Sequence, residues 1–217
     1  MTYIVHGASG SGSMPVEAAL TLIGADYRVV EAVTWEGETE RDKVAGVNPM
    51  RQIPVLTAPE GEVMTESAAI LMWLAERHPE AGLAPLPGGP RRGQFLRWMS
   101  FIPASIYSMY WVRDEPERLL GQHVDVAGDT LLERTADRIA HCWGVMESQT
   151  DPGRFILGDD LTVLDLYVTV ASRWTPRRKR FAEVAPRLHE VVRRVDEWPA
   201  LKDFWAERFP FEEDEPR

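Results

Sequence analysis

The chain has a single cysteine, Cys142, among 217 residues. That excludes an internal disulfide framework and dithiol exchange by the protein's own cysteines, and it suits a reducing cytoplasm. The five histidines are scattered. His141 and Cys142 are neighbours on a helical pattern and point different ways, so no metal site is expected. No apolar run reaches the length that spans a bilayer. The opening MTYIVHGAS lacks the basic start, long apolar stretch and cleavage signature of a secretory leader. Positive charge is also short: 24 Lys and Arg face 34 Asp and Glu, a net charge of −10. Nucleic acid is a poor partner for such a chain, because it demands many basic contacts to phosphate.

What is present is enough apolar residue, 44%, to build a proper core for one large domain or two small ones. Charge is uneven, with 5 basic and 12 acidic groups in residues 1–80 against 19 and 22 in residues 81–217. A basic run, RRKRF from Arg177, reads as a solvated helix end or, less commonly, as a site for an anion.

Tyr3–Gly7 reads as a buried strand. Met14–Gly24 follows as a helix, with Pro15 in its first turn and Gly24 at its end. DYRVVEAV is a second strand parallel to the first. Glu40–Val47 is a short helix. IPVLTAPEGEVM gives two strands around a Pro59–Gly61 turn, and Glu66–Arg77 is an apolar helix. The stretch 78–90, HPEAGLAPLPGGP, holds four prolines and three glycines and reads as a domain linker at 81–90. Beyond it the patterns are helical only: Arg91–Asp114, Val126–Gln149, Val163–Trp174, Val184–Glu197 and Ala200–Phe209, then an acidic tail, EEDEPR. A small α/β unit over 1–80 thus precedes an all-helical unit over 91–217.

Three segments stand out chemically. GASGSGSMP, residues 7–15, is a run of small residues open to three readings: a phosphate cradle, a flexible linker, or a turn where backbone and hydroxyls approach a ligand. It lacks the Lys-Ser/Thr ending of a phosphate loop and the glycine spacing of a dinucleotide fingerprint. NPMRQIPVL places an Ile53–Pro54 bond just before a strand, a candidate cis peptide that would leave the Ile53 backbone free to pair with an extended ligand. TESAAILMWLAERHP puts Glu66 and Ser67 in the first turn of a helix, where free N–H groups favour a carboxylate and Glu66 meets an ammonium group. Simple capping is the plainer reading.

Taken in order, these segments resemble the glutathione transferase family, and GDDLTVLDLYV matches its helix-capping segment, with Thr162 as N-cap and Asp165 closing the box. The resemblance spans nearly the whole chain and suggests a serine-type-like bacterial branch. It implies a thioredoxin-like N-terminal domain, an all-α C-terminal domain, glutathione as co-substrate without a metal, and a homodimer in the cytoplasm.

The resemblance also implies site residues. Pro54 is cis, and the Ile53 backbone pairs with the cysteinyl part of glutathione. Glu66 and Ser67 hold the γ-glutamyl head, and Gln52 reaches the glycyl end. The loop faces the sulfur. The family's serine column falls on Gly10 and its cysteine column on Gly12, so the catalytic hydroxyl is assigned to Ser11, with Ser13 (also a helix N-cap by position) second and Ser9 third. That pattern favours nucleophilic transfer over reductase chemistry. Ile106, Tyr107, Tyr110 and Arg113, three and four apart, line a pocket for a small-molecule electrophile, bordered by Trp174. Cys142 is packing. A glutathione-binding or interaction module of the same fold, with little catalysis, is the competing reading.

Overall fold

The computed structural model describes residues 2–211. The EEDEPR tail lies outside the described residues. Strand β1 (Tyr3–Gly7) alternates buried and half-buried positions and pairs in parallel with β2 (Tyr27–Glu31), Val5 opposite Val29. Helix α1 (Met14–Ile23) makes the crossover and stops at Gly24, whose φ of 72° lets its N–H return to Leu20 and Thr21 carbonyls. Helix α2 (Glu38–Ala45) starts two residues earlier than the pattern suggested. Strands β3 (Val55–Thr57) and β4 (Val63–Met64) form the expected hairpin, and β3 runs antiparallel to β1. The sheet order is β2-β1-β3-β4, and helix α3 (Ser67–Arg77) follows the last strand.

After a short turn at Pro79–Ala81 the chain is helical: α4 (Arg92–Ile102), α5 (Ser108–Asp114), α6 (Glu117–Leu120), α7 (Val124–Gln149), α8 (Val163–Ala171), α9 (Arg177–Val184), α10 (Pro186–Asp196) and α11 (Lys202–Arg208). The sequence pattern joined 91–114 into one helix. Instead Pro103–Tyr107 forms a π-turn between α4 and α5, at a proline whose missing N–H cannot continue the ladder. Helices α6 and α9 lack an apolar stripe long enough to stand out in sequence. The basic run forms α9, and Arg178 within it is not solvated: it is 1% exposed and pairs with Asp196 at 2.8 Å.

One apolar cluster runs from the α1 residues Val16 and Leu20 through Ile70 and Leu71 to Trp98, Trp143 and Val168. Each such side chain contributes roughly 1.5–3 kcal/mol on burial. Helix α8 is buried along its whole length and touches α1, α3, α4 and α10. Its start is fixed by Asp165, where Oδ1 accepts the Ile156 N–H at 2.8 Å and Oδ2 accepts the Thr162 N–H at 2.8 Å and its hydroxyl at 2.9 Å. Leu83, buried in the chain between α3 and α4, accepts the Val163 N–H at 2.9 Å. Asp165→Ala strands two buried N–H groups at this junction and is expected to lower stability by about 2–4 kcal/mol in a denaturant titration.

Candidate active site

A cleft of about 1570 Å³ lies between the sheet's edge loops and helices α4, α5 and α8. Three backbone devices meet there. The Ile53–Pro54 bond is cis, as the sequence suggested. Ile53 lies before β3 and outside the ladder, and among the described residues its N–H and C=O have no hydrogen-bond partner. Opposite, α3 begins at Ser67 with its first amides free of backbone partners, because the first intrahelical bond is Ile70 N–H to Glu66 C=O at 2.9 Å. Glu66 sits just before it at φ 65°, ψ 102°, a conformation that costs a non-glycine residue of order 1–3 kcal/mol and concentrates at functional sites. Its exposed side chain lines the cleft with Gln52, Ser67 and Ala68.

The third device is the small-residue loop, of which Gly10, Ser11 and Gly12 line the cleft. A Cβ on Gly12 would sit 3.6 Å from Pro54 Cδ, 3.7 Å from Tyr107 Cε1 and 4.0 Å from the Ile53 carbonyl oxygen. The absent side chain thus leaves a hole next to the free backbone of Ile53. Gly10 is held from both faces: its N–H donates to the Arg208 carbonyl at 3.1 Å, and its C=O accepts the Trp174 indole N–H at 2.9 Å. Ser9, the third candidate, is exposed and donates to the same Arg208 carbonyl.

The two leading serines differ. Ser11 reaches the cleft and Ser13 does not. Ser13 occupies the N-cap position of α1 yet makes no capping bond; its hydroxyl turns inward and donates to Glu17 Oε1 at 2.7 Å. Glu17 has no solvent exposure. It pairs with Arg208, Nε to Oε2 at 2.9 Å, and burial pushes its carboxyl above the usual range, partly opposed by Arg208 and Ser13. Gly7 makes this possible, since a Cβ there would lie 2.3 Å from Ser13 Oγ.

On the helical side Tyr107, Tyr110 and Arg113 line the cleft, but Ile106 does not: it is fully buried in the core. The i→i+5 bonding of the π-turn widens the helix there and rotates Ile106 off the face that a regular helix would share with Tyr110 and Arg113. Tyr110 does not offer its hydroxyl to the cleft, since it lies 2.9 Å from the Thr175 carbonyl and 3.1 Å from that of Ala171. Arg113 is tied to Thr135 Oγ1 at 2.8 Å and to the Leu132 carbonyl, and burial lowers its pKa. Trp174 packs edge-on against Tyr107 and Tyr110 at 5.1 and 5.2 Å. Cys142 is buried, and burial pushes its thiol pKa up.

Three residues that sequence reasoning missed brace the cleft: Tyr167 lines it, while Glu17 and Arg208 lie behind its loop. Tyr167 on α8 places its hydroxyl 2.9 Å from Ser67 Oγ, a partnership 100 positions apart with no local signal. Arg208 is equally remote from the loop it holds. Glu17 was detectable as the one acid inside the apolar run MPVEAALTLI. Among the described residues no group of three or more His, Cys, Asp or Glu side chains is placed to hold a metal.

A cis-proline turn opposite a free helix N-terminus on a four-stranded sheet is a thioredoxin-like arrangement. Residues 6–82 match the family model of the glutathione S-transferase N-terminal domain. The GST-like protein YncG of Escherichia coli K12 is 28% identical over 200 residues, covering 92% of this chain and 95% of that one. Glutathione S-transferase GstA of Escherichia coli O157:H7 is 23% identical over 198 residues, covering 89% and 92%. A glutathione transferase homologue from Sulfitobacter, solved with bound glutathione, superposes with a TM-score of 0.82 at 18% identity, covering 95% of this chain and 98% of that one. Residues 6–82 thus carry a glutathione S-transferase N-terminal domain, and along nearly its whole length the chain is similar to glutathione transferases.

The Tyr107 hydroxyl is sealed from solvent; among the described residues its one polar neighbour is the Tyr167 hydroxyl, outside good hydrogen-bond geometry, and burial drives its pKa well up. An unpaired buried hydroxyl is costly. Tyr107→Phe is therefore expected to raise stability by about 1 kcal/mol, read from the denaturation midpoint.

Proposed function

We propose that the protein is an enzyme that activates glutathione for attack on a small electrophile. The observation that carries this reading is the meeting, in one cleft, of the unpartnered Ile53 backbone, the free N-terminus of α3 and the hole left by Gly12. An extended peptide pairs with the first. A carboxylate suits the second, with Glu66 beside it for the ammonium group of the same γ-glutamyl head. Gln52 takes the glycyl end. The third leaves the cysteinyl position free of a side chain from the loop, and the thiol goes there, next to Ser11. The relative with bound glutathione supports the same choice of ligand.

The thiol is the group that needs help. At a pKa of ~8.5 it is only a few per cent ionised at neutral pH. Lowering that by about two units takes roughly 2.7 kcal/mol of preference for the thiolate. The thiolate then attacks an electrophile held against the rings of Tyr107, Tyr110 and Trp174. Residues 1–80 serve as the glutathione-binding unit and 91–217 as the electrophile-binding unit. A cytoplasmic homodimer goes with this reading, and sedimentation tests the dimer.

Calorimetry with glutathione, followed by a conjugation assay with a generic aromatic electrophile, tests the proposal. Glu66→Ala and Ser67→Ala are each expected to weaken binding about tenfold, or about 1.4 kcal/mol. Ser11→Ala is expected to keep the Kd within about twofold while slowing turnover by about 10- to 100-fold. A wild-type protein that binds glutathione and conjugates nothing would instead identify a binding module.

A further inference from the structure

Glu17 is a carboxylate shut away from solvent, yet it ends a chain of hydroxyls that begins in the cleft. Ser13 gives its one proton to Glu17 Oε1 at 2.7 Å; the Ala8 carbonyl, at 3.3 Å, is the weaker acceptor. Ser11 Oγ and Ser13 Oγ are 3.0 Å apart, so the proton between them comes from Ser11. Backbone N–H groups fix the two oxygens. Ser13 N–H donates to Ser11 Oγ at 3.2 Å, and Ala8 N–H is shared between Ser11 at 3.3 Å and Ser13 at 3.2 Å. The wire therefore has a direction, Ser11 to Ser13 to Glu17. With its own proton committed inward, the Ser11 oxygen meets a thiol in the cleft as an acceptor, in place of the long contact from the shared Ala8 N–H.

We infer that Glu17 is the terminal proton acceptor for the thiol bound in the cleft, reached through Ser11 and Ser13. This rests on the glutathione reading above. The S–H bond breaks and its electron pair stays on sulfur. The proton passes to Ser11 Oγ as Ser11's proton moves to Ser13 and Ser13's to Glu17 Oε1. A thiolate, two restored hydroxyls and a neutral Glu17 result. Once the sulfur pair has formed its bond to carbon, the wire runs in reverse and returns the proton at Ser11 to water or to the departing group.

The surroundings fit a carboxylate that can accept a proton. Glu17 faces Arg208 of α11, Ser13, and from β2 both Tyr27 and Glu31. Burial raises its proton affinity, and Glu31 adds to this by repulsion. When Glu17 is neutral, Arg208 keeps Glu31 as its counter-ion.

The test compares wild type with Ser13→Ala and Glu17→Gln. Three quantities are measured: affinity for S-methylglutathione, which has no thiol proton; the ultraviolet absorbance of bound thiolate against pH; and the pH profile of kcat/KM. Both variants are expected to bind S-methylglutathione within about twofold of wild type. In both, the bound thiol should titrate about one unit higher or more, and kcat/KM at neutral pH should fall about tenfold or more. Glu17→Gln also disturbs the Arg208 pair, so Ser13→Ala, which leaves that pair intact, decides the matter. A Ser13→Ala protein whose bound thiol titrates as in wild type overturns the relay. Failure of wild type itself to bind S-methylglutathione overturns the glutathione reading instead.

Discussion

The ion pair between Glu17 and Arg208 closes the molecule. It joins the first helix to the last across 191 positions and buries a carboxylate completely. Desolvating two charges is expensive, and such a pair adds little net stability over a well-packed apolar pair. Its geometric consequence is larger. With Arg208 fixed, its carbonyl holds Ser9 and Gly10, and Phe209 lies against Gly10, 3.4 Å from where a Cβ would be. The cleft loop is thus shaped by the far end of the chain. Removing Arg208 leaves the Glu17 carboxylate uncompensated inside, at a cost of about 3–5 kcal/mol, whereas loss of the Glu17 charge leaves Arg208 its pair with Glu31.

Local signals in the sequence were legible wherever the physics is local. The crossover β1-α1-β2, the Pro59–Gly61 hairpin turn, the Ile53–Pro54 bond and the Thr162–Asp165 box each depend on residues within a few positions. The candidate site was half legible for the same reason. Glu66, Ser67, Ile53 and Gln52 sit on one turn and one helix start, and the structure brings them to one cleft. Ile106 failed because its assignment assumed 3.6 residues per turn through Pro103, where the backbone takes a π-turn. Ser13 was read as a cap because its position is that of one; a buried acid one turn on took its hydroxyl instead. Tyr167 and Arg208 could not be found at all, since their partners lie 100 or more positions away.

The net negative charge has a counterpart in the cleft, where the arginines are largely committed. Arg41 pairs with Glu115 at 2.6 Å and donates to the Thr34 carbonyl. Arg51, at φ 56°, is held by Glu38 and Asp42 at 2.7 Å each. Arg173 is held by Asp196 at 2.6 Å. The Arg41 and Arg51 pairs pin α2 and the loop before Pro54, and so the backbone of Ile53.

The aromatic wall carries one more consequence. Tyr110 and Trp174 direct their donors into the protein's own carbonyls, so what these two turn toward the cleft is ring. Such a surface discriminates by outline and polarisability rather than by matching a guest's polar groups.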